Sequence, residues 1–457
     1  MSHYLRVALV PLYLILCLLL GGASAAGHWA NLVLQILGLG LIFWALVVER
    51  RTPMGTPGRQ IVALLILLLV VGAIQLVPLP PSIWTKLAAR DEVAAGYELI
   101  GQPLPWLPIS LAPNRTLSSL LWLLPAIAAL LGTLKLGAFK GSWIAWSVAA
   151  VTTLSVAIGA MQVSGGEASP LYFYDITNIG AAVGFFANAN HQATLLLATI
   201  PFLAALNAAS VGKGSSAQRS SALLVVLAGA LMVLAIGIFI SGSLAGYGLL
   251  IPVVAASVIM IASRKRRIPR WATAILGVVA LAAIYIPFSA PLGNNLTAEE
   301  ASTDQFSRYT SFTKSAEAAK DFFPLGSGIG SFLQIYRRYE DPTAVQPTYV
   351  NHVHSDYIEI ALETGLLGLS VLLLFLLWWV SRTIRIWSAE KPDYFARAAT
   401  IATAAILAHS AVDYPLRTAA ISALFAVCCA LMADPRSRVR RDDEAVTRNQ
   451  ARHLSAD

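Results

Sequence analysis

The residues of this chain best suited to chemistry crowd into one stretch, from Asn351-His352-Val353-His354-Ser355-Asp356 through Glu359 and Glu363 to Gly365. Two imidazoles and three carboxylates fall within a dozen residues, groups that take up protons near neutral pH and accept hydrogen bonds from one another. A helix beginning near Ser355 puts Asp356, Glu359 and Glu363 at i, i+3 and i+7, on one face. An apolar run from Leu366 to Val380 follows directly. Ionisable groups are expensive at such a boundary, so this is a poor lipid-facing helix and a plausible site.

Other polar clusters share this character. Asn188, Asn190 and His191 stand at the head of an apolar helix in GFFANANHQATLLLA, where asparagines also serve simply as caps. HSAVDYPLR spaces His409, Asp413 and Arg417 at i, i+4 and i+8. Pro415 is placed to end that helix before Arg417, and the His–Asp pair fits a structural pairing as well as a site. Arg308 opens a segment in which Tyr309, Phe312, Ala316, Ala319 and Phe323 recur at spacings of three and four, the pattern of an amphipathic helix. Pro324-Leu325-Gly326-Ser327-Gly328-Ile329-Gly330 then breaks it. No strand precedes this glycine run and no Lys-Ser/Thr follows it, so it reads as a turn rather than a phosphate loop.

The elements that must hold these residues are membrane helices. Of 457 residues, 57% are hydrophobic and 12% charged, against about 25% charged in soluble proteins. Mean hydropathy is +0.68. Repeated apolar runs of near-spanning length predict an all-α, polytopic membrane protein. About twelve spans are expected, at 5–21, 29–48, 60–77, 117–134, 143–163, 192–209, 221–240, 245–262, 271–288, 364–381, 397–413 and 417–433. They divide the chain into an N-terminal transmembrane region (1–288, nine spans), a large periplasmic loop (289–363), a C-terminal transmembrane region (364–433, three spans) and a charged cytoplasmic tail (434–457). Ala23-Ser24-Ala25 resembles a signal-peptide cleavage site, but with eleven spans to follow, an uncleaved first helix is the expectation.

Placing both termini in the cytoplasm puts 23 of the 32 basic residues on that side and leaves 16 of the 24 acidic residues outside. This is the asymmetry of an inner-membrane protein. The basic clusters, Arg264-Lys265-Arg266-Arg267 among them, therefore read as anchors beside anionic membrane lipid, and no nucleic-acid partner is expected. Cys17, Cys428 and Cys429 lie in apolar spans and offer no disulfide framework or metal spacing. No Asp-x-Asp pair or His-Glu-x-x-His motif is present, and no metal or cofactor is expected. Asn188, Asn190, His191, Arg308, His354, Glu359, Glu363, His409, Asp413 and Arg417 all fall on the outer side or at its membrane boundary. Chemistry confined to one interface points to a substrate presented there.

In motif order and spacing, residues 180–420 resemble the bacterial O-antigen ligase and lipid-linked oligosaccharide polymerase family. ANANHQATLLLA is similar to its Asn-x-Asn-His helix start. Arg308 with PLGSGIGSF is similar to its arginine helix and Pro-Leu-x-Gly-x-Gly-x-Gly-x-Phe segment. HSDYIEIALETGLLG resembles its His-Asn-x-x-Leu-x-x-x-x-Glu-x-Gly, with Ser355 in place of Asn, and HSAVDYPLR its late His–Asp–Arg element. Where many members carry Ser-Arg-Gly, this chain reads Ser241-Gly242-Ser243-Leu244-Ala245-Gly246. The resemblance implies a C-type glycosyltransferase-like fold and metal-independent transfer from an undecaprenyl-diphosphate-linked glycan to an acceptor hydroxyl at the periplasmic face. The acceptor would be a lipid A core, a second lipid-linked glycan or another hydroxyl. It implies catalytic roles for His354, as acceptor-side base or orienting residue, and for Arg308, as diphosphate clamp. Asn190, His191, Glu363, His409, Asp413 and Arg417 become substrate-binding or orienting candidates. Polymerisation of lipid-linked repeats and non-catalytic export of a lipid-linked glycan are the alternative functions.

Overall fold

The computed structural model describes residues 3–24, 28–48, 54–136, 141–210, 217–262, 308–340 and 350–433. The bundle begins with α1 (His3–Leu20), α2 (Trp29–Phe43, continued by a π-helical turn, Trp44–Val48) and α3 (Thr56–Ile74). Two short helices, α4 (Pro81–Trp84) and α5 (Asp91–Leu99), lie within a segment whose ends pair as a two-stranded antiparallel sheet, β1 (Pro78–Leu79) with β2 (Leu107–Pro108). There follow α6 (Pro113–Trp122), running into α7 (Leu124–Leu136), then α8 (Gly141–Ser164), α9 (Ala189–Ser210), α10 (Ala217–Ser241) and α11 (Leu244–Ala262). Beyond residue 307 come α12 (Arg308–Asp321), α13 (Phe332–Tyr336), α14 (Asp356–Trp387), α15 (Tyr394–His409), a 3-10 turn (Pro415–Arg417) and α16 (Ala419–Ala433). Among the described residues, eight helices have the length and hydropathy to cross a membrane, and α1 and α16 are shorter apolar helices. Helices occupy eleven of the twelve expected spans; the remaining one, 271–288, lies outside the described residues, as do 289–307, 341–349 and the tail 434–457.

Lipid tails are as apolar as leucine, so the helices are held by close packing and internal polar contacts rather than by a drive to leave water. The sequence supplies both. Alanines crowd α15 (YFARAATIATAAILAH) and α16 (AAISALFAVCCALMA), and nearly every side chain of α16 is buried. The most enclosed long helix is α9, packed among α8, α10, α11 and α15. Thr152 of α8 and Thr199 of α9 bond across their interface at 2.9 Å. Ile36, Phe43, Val225, Phe239, Ile251 and Leu373 are exposed on the bundle's perimeter, the natural outcome where lipid is the solvent.

A second, small apolar core lies at one end of the bundle, where Ala318, Phe322, Phe332, Ile335, Tyr336, Val350, Val353 and Leu362 pack together. It seats α12 and α13 against the first turns of α14. The amphipathic helix forms as the spacing predicts, yet it turns a different face inward. Ser311, Ser315, Ala318 and Phe322 are buried, while Phe312, Ala316 and Ala319 are only partly covered and Phe323 is exposed. Small serines permit the closer approach, and Ser311 Oγ donates to the Val353 carbonyl at 3.3 Å. The expected apolar stripe instead lines two grooves beside α14, with Lys320 bordering both and Ile358, Ala361 and Leu369 on the facing wall.

Candidate functional site

At that same end, the head of α14 meets the turn between α15 and α16. Ser355 stands before the helix in extended conformation, and the Asp356 amide donates to the Ser410 carbonyl at 2.9 Å, tying α14 to the end of α15. Asp356, Glu359 and Glu363 share one face, as their spacing requires, and all three are buried. Helix α15 ends at His409, before Asp413, so His409 and Asp413 do not continue along a single helix. Pro415 starts the 3-10 turn that brings Arg417 over the acidic face.

Arg417 contacts all three carboxylates. Its Nε lies 3.6 Å from Asp356 Oδ1, and its two terminal nitrogens lie 3.2 Å from Glu359 Oε1 and 3.2 Å from Glu363 Oε2. Burial alone would lower the pKa of the guanidinium, but the adjacent Glu359, Glu363 and Asp356 raise it above its usual value. One permanent cation thus faces three acids. This group is net negative and does not by itself make a diphosphate receptor.

Asp413 forms the second centre. Its Oδ1 lies 3.6 Å from His191 Nε2 and 3.6 Å from His354 Nδ1, joining the start of α9 to the segment before α14. Burial pushes the Asp413 carboxyl up, but polar contact with His191 and His354 outweighs it and holds the group well below the usual carboxylate range. Between the two centres stands Tyr414. Its ring centroid is 4.9 Å from that of His191, 4.4 Å from His352 and 5.0 Å from His354. Its hydroxyl exchanges hydrogen bonds with Asn351, and burial raises its pKa, so the phenol stays neutral. His352 Nδ1 lies 2.8 Å from Glu359 Oε1.

A backbone interlock holds the acidic face. Gly365 adopts φ 55°, ψ −142° and kinks α14 just beyond Glu363. The glycine run spends its amides there: Ser327 N–H donates to Leu362 O at 3.0 Å and Gly328 N–H to Glu363 O at 2.9 Å. Leu366 N–H returns to Pro324 O at 2.8 Å. Gln75, just past α3, donates to Glu363 O at 2.8 Å and accepts from Ile329 N–H at 3.0 Å. These glycine amides serve as a staple for helix α14 rather than as a phosphate cradle.

The structure therefore brings together His191, His354, Glu363, Asp413 and Arg417. His409 lies one turn away, its Nδ1 2.8 Å from Thr194 Oγ1, a link between α15 and α9. Asn190 sits in the first turn of α9; its amide donates to Asn188 Oδ1 at 2.8 Å and its carbonyl accepts from Thr194 Oγ1, which is the capping use of that motif. Arg308 begins α12, and its side chain lies outside the described residues. Sequence reasoning placed His352, Asp356 and Glu359 in the candidate stretch without individual roles, and it did not mark Tyr414 or Gln75 at all. Glu359 carried a readable signal, its shared face with Glu363; nothing in local spacing marks Tyr414 or Gln75. Among the described residues, no group of three or more His, Cys, Asp or Glu side chains is arranged to hold a metal ion. The assembly offers imidazoles oriented by carboxylates, suited to moving a proton, and a rim of Asn, Tyr and acidic groups suited to holding hydroxyls.

A comparison with curated proteins found no match. Residues 227–373 match the family model described as O-antigen ligase, a segment that includes Arg308, the glycine run, His354 and Glu363. Together with its apolar helices, that match supports an O-antigen ligase family assignment for a multi-pass membrane protein, and the family implies glycosyltransferase-like chemistry on lipid-linked glycans.

Proposed function

We propose that the protein transfers a glycan from an undecaprenyl-diphosphate carrier to an acceptor hydroxyl at the periplasmic face of the inner membrane, as an O-antigen ligase does. The observation that carries this reading is the gathering of His191, His354 and Asp413, from three separated segments, at the bundle end where α12 begins with Arg308. The step needs a group to take the hydroxyl proton, a hold on the sugar and a cation for the departing diphosphate. His354 serves the acceptor side, as base or orienting residue. Arg308 serves the diphosphate, since the planar guanidinium matches phosphate oxygens and Arg417 is already occupied by carboxylates. Asp413, Glu363, His191 and Asn190 hold or orient sugar hydroxyls around them.

His354→Ala and Arg308→Ala should each sharply lower transfer from purified lipid-linked donor at limiting acceptor while membrane levels stay intact. Full activity in both variants would remove the site assignment. Transfer should persist in EDTA without ATP, and a metal or nucleotide requirement would count against the proposed class. Deleting the gene distinguishes ligase from polymerase. Long chains stranded on undecaprenyl diphosphate mark a lost ligase, and capped single repeats mark a lost polymerase.

A further inference from the structure

We propose that His352, oriented by Glu359, is the group that takes the acceptor's proton, and that His354 orients the acceptor beside it. The inference deepens the transfer reading and rests on it. It starts from the carboxylates. Glu359 is fully buried, and its oxygens receive the Val353 amide at 3.2 Å and an Arg417 nitrogen at 3.2 Å. A carboxylate so supplied with donors acts only as an acceptor. The 2.8 Å contact with His352 therefore requires the imidazole to carry its hydrogen on Nδ1. Nε2 is left with its lone pair, which is the tautomer a general base needs.

His354 has no such partner. Its Nδ1 stands 3.6 Å from Asp413, beyond hydrogen-bond length, and Asp413 is shared at the same distance with His191. His354 also holds φ 61°, a left-handed backbone uncommon for a residue with a side chain. Such a conformation fixes a ring's place, which suits an orienting residue. Both rings pack on Tyr414, with centroids 4.4 Å and 5.0 Å from its ring. The His352 side chain is 17% exposed against 1% for Glu359, so the imidazole lies between the buried acid and open space.

The charges agree. His352 contacts Glu359 and Tyr414 directly and lies within electrostatic reach of Asp356 and Glu363, and Arg417 in turn pairs with all three carboxylates. Three carboxylates against one guanidinium leave these surroundings net negative, so positive charge that develops on the ring during proton transfer is stabilised. As the acceptor oxygen bonds to the sugar C1, its O–H bond breaks and the proton passes to His352 Nε2. The bond from C1 to the diphosphate oxygen breaks, and its electron pair leaves with the diphosphate. The imidazolium, held by Glu359, then releases its proton to water.

The test uses the purified full-length protein with lipid-linked donor and a hydroxyl acceptor, with kcat and KM followed against pH. In the wild type kcat falls on the acid side as the base is protonated. His352→Ala should lower kcat by about 10²–10⁴-fold, leave the donor KM unchanged, erase the acid limb and regain rate with added imidazole. His354→Ala should keep the acid limb while raising the acceptor KM. Glu359→Gln should lower kcat without rescue by imidazole. A His352→Ala protein within threefold of wild-type kcat, with its acid limb intact, overturns the proposal. So does loss of rate without imidazole rescue in a His352→Ala protein of lowered Tm, which marks a structural role. Wild-type protein inactive towards the donor overturns the transfer reading itself, and the dyad with it.

Discussion

Arg417 is the residue on which the acidic face depends. Removing one member of a buried ion cluster costs more than the cluster contributes, because the remaining charges lose their partner while staying out of water. Such losses run to about 3–5 kcal/mol. Arg417→Leu would leave Asp356, Glu359 and Glu363 buried together without a cation. Like charges in one desolvated space raise the carboxyl pKa values of the folded state above their unfolded values. The destabilisation is then full at neutral pH and fades as pH falls and the acids take up protons. Thermal unfolding of detergent-purified protein should show Arg417→Leu well below wild type at pH 7.5, with the gap narrowing towards pH 5. A gap independent of pH would mean that the carboxylates are not what the arginine neutralises.

At the scale of elements, the kink in α14 positions the site. Gly365 is required there twice over. Its φ of +55° lies where L side chains are strained, and an added Cβ would stand 2.1 Å from the Pro324 carbonyl oxygen. Gly365→Ala therefore carries about 1–3 kcal/mol of backbone strain before the clash is counted, and relief means moving the glycine run away from Glu363. Gly229, in α10, has nothing within 4 Å of such a Cβ. The expectation is a markedly lower Tm and lost transfer for Gly365→Ala, and neither for Gly229→Ala; equal Tm values in the two variants would contradict the interlock. The helices on either side of this joint are legible in the sequence, since long apolar runs identify themselves. The shared face of Asp356, Glu359 and Glu363 is legible too, because helical spacing fixes it. The inward face of α12 is not: hydrophobicity favours the Phe312–Ala316–Phe323 stripe, whereas close approach to α14 selects Ser311 and Ser315. The partners of Asp413 and Arg417 are equally hidden, because both lie in a turn and their contacts come from segments up to 222 residues away, as for His191.

For the whole molecule, the arrangement makes a claim about sidedness. The heads of α9 and α14, the turn after α15 and the end of α3 meet at one end of the bundle, with the β1–β2 segment joined to them through Gln75 and Ser110. The connection from α14 to α15, Ser388 to Asp393, lies at the opposite end of those helices. Basic residues concentrate on the latter side in the sequence, and the positive-inside rule predicts that side to be cytoplasmic. The three native cysteines are buried, so they form a quiet background for labelling. Gln102→Cys, at an exposed position of the β1–β2 segment, should react with a membrane-impermeant maleimide in intact spheroplasts. Glu390→Cys, also exposed, should react only after permeabilisation. The reverse pattern would put His354, Asp413 and Arg417 in the cytoplasm. A periplasmic transfer reaction would then be excluded whatever the chemistry of the site, because the donor sugar and these side chains would stand on opposite faces of the membrane.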